Sequence, residues 1–147
     1  MMKDRTSNEE TVMSQTWVQG GCLCGAVRYR VRGAAVARTL CHCASCRRAA
    51  AAPSMAWAIF RREDFELIAG APKEFRSSPH IVRGFCADCG TPLTYRSDRR
   101  PETMDVTTVS LDAPDAFAPE REIWTEEKLS WEIVNASLPQ YPRSSKG

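Results

Sequence analysis

The sequence predicts a mainly β fold of many short strands joined by loops, with one or two short helices. Three observations carry that prediction. Short runs alternate apolar and charged residues with the period of a half-buried strand. Nine prolines and eight glycines punctuate those runs, as joined short strands require. Seven cysteines fall into three tight clusters, Cys22-Leu-Cys24, Cys41-His-Cys43-Ala-Ser-Cys46 and Cys86-Ala-Asp-Cys89.

Residues 1–16 are polar, without hydrophobic periodicity, and read as a flexible leader. The folded unit is expected over 17–142, with 143–147 as a short flexible tail. Ala26 to Val31 alternates strictly, so Val27, Tyr29 and Val31 should face the core and Arg28 and Arg30 the solvent. Arg47 to Ala52 has helix propensity that Pro53 limits to about one turn. Met55 to Phe60 is a continuous apolar run of strand length. Asp64 to Ile68 and Lys73 to Phe75 are weaker strand candidates. Ile81 to Phe85 leads into the third cysteine cluster and Leu93 to Arg96 leads away from it. Met104 to Leu111 is rich in β-branched residues and reads as a central strand. Asp112 to Phe117 is a second short-helix candidate.

The chain has 147 residues, the size of one domain. Its formal charge of +2 comes from interspersed acidic and basic residues. This offers no basic stripe for nucleic acid, and no run approaches the roughly 18 apolar residues of a membrane span. The polar N-terminal segment is unlike a signal peptide, and an odd number of cysteines cannot pair completely. Disulfides belong to oxidising compartments. The pattern therefore favours zinc over disulfides, and a cytoplasmic location.

Two, three and two thiols divide as four plus three. Four protein ligands close a structural zinc site, whereas three leave one position open. On extended backbone, residues two apart share a side, so Cys22 and Cys24 can share an ion, as can Cys41 and Cys43; His42 then points away. Cys86-Ala-Asp-Cys89 is a knuckle in which a tight turn brings both sulfurs to one ion, and Gly90 can supply the positive φ such a turn needs. The economical partition is Cys22, Cys24, Cys86 and Cys89 as a closed clip between distant segments, with Cys41, Cys43 and Cys46 as a local open site. The alternative, Cys22 and Cys24 with two of the middle trio, leaves the third knuckle incomplete.

Three segments together resemble the glutathione-dependent formaldehyde-activating enzyme (GFA) family, whose zinc-binding domain is shared with centromere protein V. They are Gly20-Gly21-Cys22-Leu-Cys24-Gly25-Ala-Val27-Arg28-Tyr29, Cys41-His42-Cys43-Ala-Ser-Cys46-Arg47-Arg48 and Phe85-Cys86-Ala-Asp-Cys89-Gly90-Thr91-Pro-Leu93. The likeness continues through Val109-Ser110-Leu111-Asp112, Ile123-Trp124, Trp131 and Leu138-Pro139-Gln-Tyr141. It implies an Mss4-like fold of several small antiparallel sheets with two zinc ions per chain; the second is expected to be more labile, because three ligands hold a metal less securely than four. Cys22, Cys24, Cys86 and Cys89 would hold the structural ion, and Cys41, Cys43 and Cys46 the catalytic one.

The resemblance also implies a carbon–sulfur lyase-type activity joining glutathione, or a related thiol, to formaldehyde or another small aldehyde. The substrate thiolate would be the fourth ligand of the three-cysteine zinc. Arg47 and Arg48 are placed by sequence to offset its charge or to meet the carboxylates of glutathione; the alternative is two solvent-facing arginines. His80 and Ser45 are candidate proton donors set against structural roles. Trp57, Trp124 and Trp131 can wall a pocket or pack in the core, and exposed ones can support a homodimer. The competing function is a non-catalytic zinc module that binds glutathione or a macromolecular partner. Methionine sulfoxide reduction needs a redox cysteine outside the zinc ligands, and this assignment leaves none.

Overall fold

In the computed structural model of the protein, the described residues are 16–145. The expected leader, apart from Thr16, and the last two residues of the expected tail lie outside them. The mainly β expectation holds, with strands gathered in two sheets. The smaller is antiparallel and contains β1 (Trp17–Gly21), β2 (Arg28–Arg32) and β5 (Phe65–Ala69). The larger has seven strands: β3 (Ala37–Cys41), β4 (Met55–Arg61), β6 (Lys73–Ser78), β7 (Ile81–Phe85), β8 (Pro92–Ser97), β9 (Arg100–Thr107) and β10 (Arg121–Ile123). Its spatial order is β10-β3-β4-β9-β8-β7-β6, so β9 is the middle strand. The β3–β10 pair is parallel, a pairing that no hairpin can make and that needs a long connection.

The alternation read from Ala26 to Val31 decides which face is buried. Val27, Tyr29 and Val31 are buried, together with Ala58 and Phe60 of β4, Val106 of β9 and Phe117. These residues form the main core. Leu93 joins them because of a bulge: Gly84 pairs with Thr94 while Phe85 pairs with Pro92, leaving Leu93 as the extra residue.

Two predicted boundaries shift for local reasons. The strand expected to run to Leu111 stops at Thr107, and Thr108–Ser110 form a 3₁₀ turn. The Ser110 hydroxyl donates to the Thr107 carbonyl at 2.8 Å and also meets the Tyr29 hydroxyl at 2.6 Å. Side-chain bonding to nearby backbone outweighs the strand propensity of the run. The first predicted helix begins three residues earlier, as α1 (Ala44–Ala50). Cys43 caps it, its sulfur accepting the Cys46 amide at 3.3 Å, and Ala51 ends it at φ 51°. Asp112–Phe117 contains only a 3₁₀ turn, Pro114–Phe117. Among the described residues no helix is long and apolar enough to cross a membrane.

Candidate active site

The four cysteines of the clip come together from two turns. Cys22 and Cys24 lie just past β1 rather than on extended strand, as their spacing had suggested. The Cys22 amide bonds the Val27 carbonyl, and Gly25, at φ 81°, returns its amide to the Cys22 carbonyl. Cys86 and Cys89 form the expected knuckle between β7 and β8, with Gly90 at φ 80° donating to the Cys86 carbonyl at 2.8 Å. Only a residue without Cβ takes such a φ at little cost.

The four sulfurs lie within 4.8 Å of one another. Cys24 Sγ is 3.6 Å from Cys22 Sγ and 3.7 Å from Cys86 Sγ. The edge of a tetrahedron with ~2.3 Å zinc–sulfur bonds is about 3.8 Å, whereas a disulfide requires ~2.05 Å. The donor set therefore fits a tetrahedral ion. The Val27 amide donates to Cys22 Sγ at 3.3 Å, and the Thr91 hydroxyl meets Cys89 Sγ at 3.2 Å. Hydrogen bonds from the Thr91 hydroxyl and backbone hold the Cys89 thiol down to about 5.

The second cluster is local. Cys41 ends β3, Cys43 caps α1 and Cys46 sits in its first turn; their sulfurs also lie within 4.8 Å of one another. Hydrogen bonds from Cys41 and Cys43, followed by the charge of Arg83, push the Cys46 thiol well below its ordinary range. The same contacts, with burial, push Cys41 far up. Three thiolates this close repel one another, so ionising all three requires a cation among them. This chemistry fits a metal held by three sulfurs with one face open.

That open face adjoins a cavity of about 400 Å³. Its floor is one face of the seven-stranded sheet, read off by strand parity. Ala37, Thr39 and Cys41 come from β3, Trp57 and Ile59 from β4, and Thr103 and Asp105 from β9. Arg83, Tyr95, Asp105, Ile59 and Ala37 are successive cross-strand partners, a single row across five strands. Trp124 and Ile123 form part of the wall. Side chains two apart on each strand share the cavity face, and Ala58, Phe60 and Val106 between them turn to the core.

The cavity is polar in a patterned way. Arg83 places Nη1 and Nη2 each 3.7 Å from Cys46 Sγ, and its guanidinium lies 5.0 Å over the Tyr95 ring. Tyr95 in turn packs on Trp57 with ring centroids 5.5 Å apart. Arg100 and Arg121 also line the space, against one acid, Asp105. Asp105 is 6% exposed and makes no hydrogen bond or salt bridge among the described residues. Burial pushes its carboxyl up to about 7, Arg100 opposing and Cys46 adding to the rise.

Residues 17–127 match the family described as glutathione-dependent formaldehyde-activating enzyme. The chain belongs to this GFA family. No curated protein matches the chain. Its fold is similar to that of a Rhodobacter sphaeroides protein of known crystal structure, at 20% identity and a TM-score of 0.57, covering 84% of this chain and 98% of that one.

As a GFA-family chain, the protein brings together all seven cysteines in the four-plus-three grouping its sequence suggested. The arginines are placed differently. Arg47 donates from Nε to the His42 carbonyl at 3.1 Å, and neither it nor Arg48 is among the residues lining the cavity. The arginine at the sulfurs is Arg83, from a strand 37 residues along the chain. His80 and Ser45 are exposed and also stand outside the cavity lining.

His42 turns away from the sulfurs, as strand parity implied. It is fully buried, and its Nε2 is 2.7 Å from Glu122 Oε1. Glu122 also accepts from the Asn135 amide at 2.6 Å and from Gln140 Nε2 at 3.2 Å, tying the C-terminal segment to the three-cysteine site. Trp57 is buried at the cavity, Trp124 stands in its wall at φ 58°, and Trp131 is exposed. Sequence reasoning missed Asp105. Its signal was an acid in the middle of a run otherwise fit for a buried central strand.

Proposed function

We propose that the protein is a zinc enzyme that joins the thiol of glutathione, or a related thiol, to formaldehyde or another small aldehyde, a carbon–sulfur lyase-type reaction. The observation that carries this is the three-cysteine cluster opening into a cavity with three arginines on its walls. A zinc ion held by Cys41, Cys43 and Cys46 would supply a Lewis-acid centre that favours the thiolate form of a substrate thiol over the free thiol, whose pKa is near 8.5. Cys22, Cys24, Cys86 and Cys89 would hold a structural ion.

Charge balance assigns roles to this chain's side chains. Three thiolates and a divalent ion leave one negative charge, and a substrate thiolate adds another. Arg83, fixed by the Tyr95 ring and by a 3.3 Å bond from Nε to Ser77 Oγ, offsets charge at Cys46. Arg100 would meet a carboxylate such as those of glutathione, while Arg121, paired with Glu120 at 3.1 Å, would reach one only by exchanging that partner. Trp57 and Ile59 present an apolar floor for the small aldehyde. The thiol-based site and unpaired cysteines accord with a reducing, cytoplasmic setting.

The test is exchange spectroscopy by NMR on glutathione–formaldehyde mixtures, where thiols add without a catalyst. The protein should accelerate exchange above that background and bind reduced glutathione in calorimetry. Cys43→Ser should abolish both effects. Binding without acceleration would replace the enzyme with a non-catalytic thiol-binding module, and neither effect would reject both.

A further inference from the structure

We propose that Asp105 is the proton donor of this site, delivering its carboxyl proton to the aldehyde oxygen as the carbon–sulfur bond forms. The inference rests on the thiol–aldehyde chemistry proposed above and adds the acid that chemistry lacks. In the step, the substrate thiolate, its proton already released to solvent, forms a bond to the carbonyl carbon, and the C=O π pair moves onto oxygen. The Asp105 proton then passes to that oxygen, giving a hydroxymethyl thioether and a carboxylate. Solvent reprotonates the carboxylate through the cavity, and no oxidant or reductant is needed.

The position of Asp105 is unusual. It lies on β9, the middle strand of the larger sheet, between Ile59 of β4 and Tyr95 of β8. A buried carboxyl in a sheet centre ordinarily has a partner, because an isolated carboxylate is strongly disfavoured away from water. Asp105 has no hydrogen bond or salt bridge among the described residues, and faces the cavity that the three cysteines share. Among the described residues the fully enclosed polar atoms without a partner are His42 Nδ1 and Thr108 Oγ1, so the Asp105 carboxyl, unpartnered within the protein, meets solvent in the cavity, where a substrate oxygen would take the place of water.

The groups around it suit a proton donor. Arg100 is the nearby cation that favours its ionised form, and Cys46 on α1 opposes this. Arg83 of β7, Tyr95 of β8 and Arg121 of β10 also face the cavity, while β4 contributes only Trp57 and Ile59 there. The balance leaves the carboxyl near neutrality, the range in which an acid donates and recovers its proton at working pH. Tyr95 is a poorer donor, since burial pushes its phenol up to about 12.

The experiment compares wild type with Asp105→Asn, which keeps size and removes the acid. Three quantities are read: the exchange rate above background, the affinity for glutathione, and the ¹³C shift of the Asp105 carboxyl against pH. The expected result is a loss of acceleration of about a hundredfold or more, with affinity within about twofold. In the zinc-loaded wild type the accelerated component should fall as pH rises through the carboxyl's own titration, followed by its ¹³C shift. That pH limb should vanish in the variant. Should Asp105→Asn fail to fold, the wild-type profile decides, because a flat or rising profile overturns the role. Full acceleration in the variant, or rate and affinity lost in equal proportion, overturns it as well. A wild type that gives no acceleration rejects the parent function itself, a separate outcome.

Discussion

Removing both sulfurs on one side of the four-cysteine clip, as Cys86→Ser/Cys89→Ser, should destabilise the fold far more than removing two from the other cluster. Cys24 and Cys86 are 62 residues apart in the chain. Releasing a cross-link of that span returns about 4 kcal/mol of chain entropy to the unfolded state. The pair Cys43→Ser/Cys46→Ser releases only a local loop, for which the same relation gives about 2 kcal/mol at most. Part of even that is already fixed by α1. Each pair includes one buried cysteine, Cys86 or Cys46, so the cost of a buried hydroxyl is similar in both and cancels in the comparison. Urea unfolding with zinc present should therefore separate the variants by about 2 kcal/mol or more. The clip variant should also melt roughly 10 °C or more below wild type. Equal destabilisation within about 0.5 kcal/mol, or a milder effect in the clip variant, would refute the division into a fold-holding and a chemical site.

Arg83→Ala should weaken glutathione binding by about tenfold in calorimetry, the scale of one charge-assisted bond, while Arg48→Ala should change it by less than about twofold. Burial would raise the Glu122 carboxyl, but the His42, Gln140 and Asn135 bonds outweigh it and hold the group below its ordinary range. Its stabilisation is therefore complete above the unfolded value, near pH 4.3, and is lost as pH falls through the lower folded value. Glu122→Ala should cost about 2–3 kcal/mol at neutral pH, because the buried His42 loses its acceptor, with the gap from wild type closing in acid, followed by urea unfolding at stepped pH. Gly20→Ala would place a Cβ 2.5 Å from the Tyr29 ring and 2.7 Å from the Ser110 carbonyl. It should lower stability by about 1–3 kcal/mol in the same unfolding assay.

The most legible parts of the chain were those governed by local periodicity or by close spacing. Val27, Tyr29 and Val31 alternate inward because a strand has a period of two, whatever lies across from it. Ile81–Phe85 was placed correctly because a knuckle on one side and a turn on the other leave little latitude. By contrast β1, β3 and β10 went unrecognised. β10 is three residues long and exists only because β3 offers a parallel edge. The Cys22–Cys24 turn and the early start of α1 also escaped, since a sulfur accepting the Cys46 amide is a cap that propensity does not register.

The same boundary runs through the site. The seven cysteines, their four-plus-three division and the turn of His42 away from the sulfurs followed from the sequence by itself, because ligand spacing and side-chain parity are local rules. What surrounds the open cluster did not follow. Arg83, Asp105 and Arg121 come from three different strands, and only the register of the larger sheet brings them to one face. Arg47 and Arg48 stand next to Cys46 in the chain yet outside its cavity, because the helix that Cys43 caps carries them away. Sequence neighbours determined which sulfurs come together, and strand pairing decided which charges line the cavity beside them.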